Sequence, residues 1–211
     1  MANTTHDPHA SAAHSPQGLR VLLIEERVRP TALLRDELVR MGCEVVGVLD
    51  APTLIHDCVA TLRPDVVIVD ARSPSRDTLE HLAVMHANSP RPVVVFSDES
   101  DTSTMQRALA AGVSAYVVDG LMPRRVEPVL QVAIARFEQE ALLRSELQQA
   151  RNQLAARKRI ERAKGILMAQ SGLDEQTAYA RLRKMAMDRG LTLEELSSRL
   201  IAARDLLDSG G

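Results

Sequence analysis

The sequence predicts an α/β protein: a doubly wound parallel sheet of five strands, then a long connecting helix, then a bundle of three short helices. Three observations carry this. Short β-branched runs alternate five times with stretches of helical period between Leu19 and Val118. After Pro123 the strand signal stops, and only three- and four-residue apolar spacings remain. Aromatic residues are 2% of the chain, with no Trp, so the core rests on Leu, Val, Ile, Ala and Met. That composition suits helices and parallel strands better than an antiparallel β fold.

Residues 1–18 hold almost no large apolar side chain and cannot offset their ordering entropy, so they read as a disordered tail. His6, His9 and His14 fall in it without fixed geometry. The five expected strands are Val21–Ile24, Val45–Leu49, Val66–Val69, Val93–Phe96 and Ala115–Val118, several of them unbroken apolar runs of the kind parallel sheets bury on both faces. The expected helices between them run through Leu33, Leu34, Leu38 and Met41 to Gly42; through Leu54, Ile55 and Val59; through Leu79, Leu82 and Val84; and through Met105, Leu109 and Ala110 to Gly112. This α/β domain covers 19–125.

From Val126 to Leu154 the spacing predicts one long helix, part of a dimerising linker over 126–156. Its stripe of Leu130, Ile134, Phe137, Leu143 and Leu147 predicts an apolar seam that a second copy would cover, hence a homodimer. Residues 157–208 read as three helices. Arg157–Ser171 ends at Gly172, Asp174 caps a second that stops at Gly190, and Thr192 with Glu195 forms a capping box for the third. One apolar face on each closes a minimal bundle.

Composition excludes several classes. Cys43 and Cys58 are too few for a disulfide framework or a metal-ligand set and read as small buried hydrophobes in a reducing cytoplasm. No apolar run approaches a membrane span and no signal peptide precedes the first strand, so the expectation is a cytoplasmic protein without a membrane partner. No nucleophile elbow, phosphate loop or metalloprotease motif is present, and the expectation is no enzyme. The net charge of −2 hides an asymmetry: residues 151–190 carry ten basic and four acidic side chains, a net of +6, and the remainder 16 against 24, or −8. A basic segment on an acidic body is how an anion-binding module attached to a regulatory domain would look.

Glu25, Glu26, Asp70, Ser97 and Asp119 stand at the carboxyl ends of the expected strands, where doubly wound sheets place their chemistry. In this pattern the chain resembles the receiver domain of response regulators. The resemblance implies an acidic pair at Glu25 and Glu26 that would bind Mg2+, a phosphoacceptor at Asp70 and a hydroxyl at Ser97. It also implies a Lys where this chain has Asp119. A carboxylate there would repel a phosphoryl group on Asp70 by a few kcal/mol, roughly, at about 4 Å. The expectation is therefore a docking platform with a weak or absent phosphorylation switch, and Mg2+ as the only cofactor raised.

The segment IERAKGILMAQSGLDEQTAYARLRKMAMDRGLTLEELSSRLI resembles the ANTAR RNA-binding module of transcription antitermination regulators, with Ala163, Lys164, Gly165, Leu167, Met168, Ala178, Tyr179, Leu182, Ala186, Leu196 and Ile201 matching. Gly165 inside a helix costs about 1 kcal/mol relative to Ala. With Ala169 it opens a shallow strip, flanked by Lys158 and Arg162, that either a packed helix or an RNA phosphate could occupy. Tyr179 with Arg183 one turn on offers a stacking surface for an unpaired base, against a competing reading as a core residue. Expected RNA contacts are thus Lys158, Arg162, Lys164, Gly165, Tyr179 and Arg183.

The segments DARSPSRDTLE and GVSAYVVDGL look most like the nitrate-assimilation antiterminators. The resemblance implies binding of leader-mRNA hairpins in place of the terminator, to the benefit of the RNA polymerase elongation complex, and a nitrate- or nitrite-sensing protein that sequesters the regulator. The alternative is a DNA-binding response regulator. Against it, the turn Gly190-Leu191-Thr192 is followed by no helix N-terminus rich in Arg, Asn or Gln.

Overall fold

The computed structural model describes residues 16–26, 32–51, 54–118 and 122–208. The chain divides into two compact units, Met1–Glu140 and Ala141–Gly211. In the first, β1 (Arg20–Glu26), α1 (Ala32–Arg40), β2 (Glu44–Leu49), α2 (Ile55–Leu62), β3 (Val66–Ala71), α3 (Arg76–Asn88), β4 (Val93–Ser97), α4 (Thr102–Ala110) and β5 (Ala115–Val117) alternate. α5 (Pro123–Ser171) follows. The sheet order is β2-β1-β3-β4-β5 and every pairing is parallel. This is the receiver-type doubly wound sheet the sequence predicts.

Alternation along the strands divides the core. Leu22, Ile24, Val67, Val69, Val93 and Val95 pack with Ile55, Val59, Leu79, Leu82, Met85 and Ala108 of α2, α3 and α4. Val21, Leu23, Val66, Ile68, Val94 and Phe96 pack with Leu34, Leu38, Val126, Leu130 and Ala133 of α1 and α5. β3 and β4 are buried along their whole length. Each fully buried Val, Leu or Ile contributes about 1.5–3 kcal/mol relative to exposure, which is why these continuous apolar runs become central strands. The β1–β2 register slips between Val21 and Leu22, and a Cβ at Gly47 would sit 2.9 Å from Leu62 Cδ1 and 3.1 Å from Leu22 Cδ1. A larger residue there would require the ends of both leucines to shift.

Four details differ from the sequence reading. In α3, Val84 is exposed and Met85 buried; in α4, Leu109 is exposed and Ala108 buried, because the helical face that meets the sheet lies one residue away. Residues 16–18 of the expected tail are held: Gly18 N–H donates to Gly42 O at 2.8 Å and Cys43 Sγ to Pro16 O at 3.3 Å. Residues 1–15, with the three tail histidines, lie outside the described residues. The two helices expected over 126–154 and 157–171 are one helix of 49 residues, α5, since Ala155 and Ala156 give no reason to stop. And Leu130 and Ile134, expected in the dimer seam, are buried in the first unit, while Leu143, Leu147 and Leu154 stand exposed.

In the second unit the end of α5 packs with α6 (Glu175–Asp188) and α7 (Leu193–Asp208) around Ala163, Leu167, Ala178, Leu182, Ala186 and Leu196. Small residues at 163, 178 and 186 let the helices approach closely. Asp174 caps α6 by accepting from Thr177 N–H at 2.9 Å. Gly190, at φ +62°, adopts the left-handed conformation that turns the chain toward α7. There the capping box forms as predicted: Thr192 N–H donates to Glu195 Oε2 at 2.8 Å and Glu195 N–H to Thr192 Oγ1 at 3.2 Å. Among the described residues no helix is long and apolar enough to cross a membrane.

Candidate functional site

At the carboxyl edge of the sheet, register brings the sequence-predicted acids together. Glu25 pairs with Asp70, and Ala71 with Ser97, across adjacent parallel strands. Asp70 is buried, 1% exposed. Partial burial, and then the neighbouring Asp70 charge, push the Glu25 carboxyl above its ordinary range, with Arg35 of α1 acting in the opposite direction. The two glutamates do not act as a pair. Glu26 accepts from Ser75 N–H and Ser75 Oγ, both at 3.0 Å, and from Thr78 Oγ1, so its carboxylate sits on the first turn of α3. A helix N-terminus favours a negative charge, and Ser75, the α3 N-cap, presents the donors.

Ser97 is equally committed. Its hydroxyl donates to Arg72 O at 2.9 Å and accepts from Glu99 N–H at 3.2 Å, tying the loop after β4 to the loop after β3. Asp119 lies outside the described residues. Of the expected acidic pair, Glu26 is turned to α3, which leaves Glu25 and Asp70 as the carboxylates that would hold a Mg2+ ion, a cation that takes one or two carboxylates and keeps several waters.

In the second unit the six expected RNA contacts fall into two places. Arg162, Gly165, Ile166, Ala169, Gln170 and Arg204 line a groove of about 390 Å³ between α5 and α7. Lys158 and Arg162 line the adjoining one of about 400 Å³ with Ile201 and Asp205. A Cβ at Gly165 would meet nothing within 4 Å, so no other helix among the described residues explains that glycine by close packing. Charges here are partly paired, Arg162 with Asp205 at 2.6 Å and Arg159 with Glu194.

Tyr179, Lys164, Glu175 and Gln176 line a separate cleft of about 370 Å³ between α5 and α6. Tyr179 is 44% exposed and therefore not the core residue of the competing reading. Arg183, one turn along, is exposed as well. Lys164, expected among the RNA contacts, lines this cleft and not the Gly165 groove. It is 7% exposed, with Nζ 2.5 Å from Glu161 Oε2 and 2.7 Å from Glu175 Oε1. Hydrogen bonds donated to these carboxylates hold its ammonium above the usual lysine range. Glu175 and Gln176 escaped the sequence reading because Glu175 stands 11 residues from Lys164, a separation no helical period connects.

Comparison with known proteins agrees with this geometry. Residues 21–128 match the response regulator receiver domain and residues 148–201 the ANTAR domain. Over 84% of this chain, the transcriptional regulatory protein PdtaR of Mycobacterium tuberculosis is 30% identical, with 87% of its own length covered. The aliphatic amidase regulator of Pseudomonas aeruginosa is 26% identical over 87% of this chain and 91% of its own. Among solved structures, the signal receiver domain of a modulated diguanylate cyclase from Desulfovibrio desulfuricans superposes with a TM-score of 0.52 at 26% identity, over 59% of this chain and 99% of that one. A parallel receiver sheet with its acids in register, followed by a bundle whose caps and small-residue core lie within the matched ANTAR segment, makes the chain a member of the response regulators that carry an ANTAR domain.

Proposed function

We propose that this protein is a transcription antiterminator that binds hairpins in leader mRNA and so prevents terminator formation, leaving the RNA polymerase elongation complex to continue. The observation that carries the reading is the ANTAR match over 148–201, in a segment whose basic excess includes the exposed Arg183 and Lys184 on the same helix as the exposed Tyr179. Phosphate contacts supply affinity and unpaired bases supply specificity. The Gly165 groove, with Lys158 and Arg162, is the second basic surface for the phosphate backbone.

A homodimer presents two such modules, one for each of two hairpins. Leu143, Leu147, Ala150 and Leu154 follow heptad spacing on the exposed part of α5, and in a parallel pair Glu146 faces Arg151 of the other copy. Nitrate or nitrite assimilation as the regulated process rests on the likeness of DARSPSRDTLE and GVSAYVVDGL, and a separate sensing protein would then dock on the receiver unit. The test compares the full chain's affinity for its leader hairpins and for the promoter duplex at equal salt. Preference for the hairpin is expected; preference for the duplex overturns the antiterminator in favour of a DNA-binding regulator.

A further inference from the structure

The cleft lined by Lys164, Glu175, Gln176 and Tyr179 has a composition that the overall basic charge of the module does not explain. We infer that it receives one unpaired nucleobase, stacked on Tyr179 and read along its edge by the Gln176 amide, with Arg183 on the adjoining phosphate. This rests on the RNA-binding reading above and assigns the place where loop sequence is read.

Four observations converge. Tyr179 sits on a helix whose inward face is Ala178, Leu182 and Ala186, yet 44% of it is exposed, so its ring is presented rather than packed. An exposed aromatic face is a sequence-tolerant platform for any base. Gln176 lies one turn before it on the same rim, exposed, with an amide that both donates and accepts, as a base edge requires. Arg183 extends the same outward stripe by four residues, at the distance of the next turn.

Lys164 supplies the fourth. Its side chain is 9% exposed and its ammonium is shared between Glu161 and Glu175. A cation already neutralised inside the protein has no counterions to release, so it does not serve as a phosphate contact. What it does is join α5 to the first turn of α6 through Glu175, fixing the wall from which Gln176 and Tyr179 project. Lys164 is therefore a positioning residue, and the division of labour is stacking by Tyr179, edge reading by Gln176, phosphate contact by Arg183.

The test uses the full-length protein and a pool of RNA hairpins with one fixed duplex stem and a fully randomised loop, selected by filter binding and sequenced. The parent is expected to enrich loops sharing a dominant base at one position. Tyr179→Ala should weaken binding of an enriched hairpin by about 5- to 100-fold, and Gln176→Ala should flatten the preference at that one position. Both should leave the salt dependence unchanged, and Tyr179→Phe should behave as the parent. Lys164→Met should lose loop preference with the same salt dependence, and Lys164→Arg should restore it. Circular dichroism on each variant establishes that the bundle is intact; since Tyr179 and Gln176 are exposed, their truncation should preserve it. Should Tyr179→Ala and Gln176→Ala enrich the same loops as the parent, the cleft is not the base site although RNA binding stands. Should the parent enrich nothing over stem-only duplex, the RNA reading itself fails.

Discussion

Lys164 and Arg183 carry the same formal charge and belong to the same basic segment, yet only Arg183 is placed to meet an anion outside the protein. Arg183→Gln should lower the slope of log affinity against log salt by about 0.7–0.9 for one lost phosphate contact, and Lys164→Met should leave it where it is. The charges that hold the bundle together titrate at both ends of the pH range. Hydrogen bonds from Thr177 and Thr192 hold Asp174 and Glu195 below the ordinary carboxylate range, and Lys164 does the same for Glu175. A carboxylate lowered in the fold contributes stability above its unfolded value and loses it as pH falls through the folded one. The thermal midpoint of the second unit, followed by circular dichroism, should therefore decline on acidification below the ordinary carboxylate range, and Asp174→Asn should make that decline shallower. Raised Lys164 acts with the opposite sign, its contribution lost only as pH climbs through its folded value, above the ordinary lysine range. Asp174, Thr192 and Glu195 were legible as caps because capping is local in sequence. The burial of Lys164 was not, since its partner Glu175 meets it only once α6 has folded back.

Elements show the same division between local and tertiary information. Strands at the centre of the sheet were legible because both faces are buried, so their runs are continuous; the buried face of α3 and α4 was misjudged by one residue at Val84 and Leu109. In α5, one apolar periodicity serves two purposes that sequence alone does not separate. Leu130 and Ile134 complete the receiver core, and the exposed leucines begin at Leu142. Leu143→Glu with Leu147→Glu should accordingly yield a monomer by light scattering without unfolding the sheet. Glu146→Arg should weaken the dimer, and adding Arg151→Glu should restore it, an outcome that a parallel pairing requires. At the other end of the first unit, Glu26 holds α3 to β1. Glu26→Ala removes a charged acceptor from Ser75 and Thr78 and should cost about 1–3 kcal/mol in urea unfolding.

At the scale of the whole molecule, an acidic receiver unit and a basic ANTAR unit share one chain, and two of the receiver's expected switch residues are held by the fold itself. Glu26 is engaged by α3, Ser97 by the Arg72 loop, and the sequence places another carboxylate at Asp119. Acetyl phosphate should leave RNA affinity unchanged, and Asp70→Asn should retain antitermination in a reporter; stable phosphate on Asp70 by mass spectrometry together with a large activity loss in that variant would exclude a docking platform. The absence of Trp and the exposure of Tyr179 have an optical consequence. The chain has two tyrosines, and Tyr116 Oη is buried without a hydrogen-bond partner among the described residues, so Tyr116→Phe removes a hydroxyl that bonds to nothing there. What remains is a protein with a single tyrosine, whose emission is separable from that of phenylalanine, placed on the rim where a base would stack. Its fluorescence should dim when a hairpin loop binds and stay constant for plain duplex, an unlabelled readout of recognition in real time.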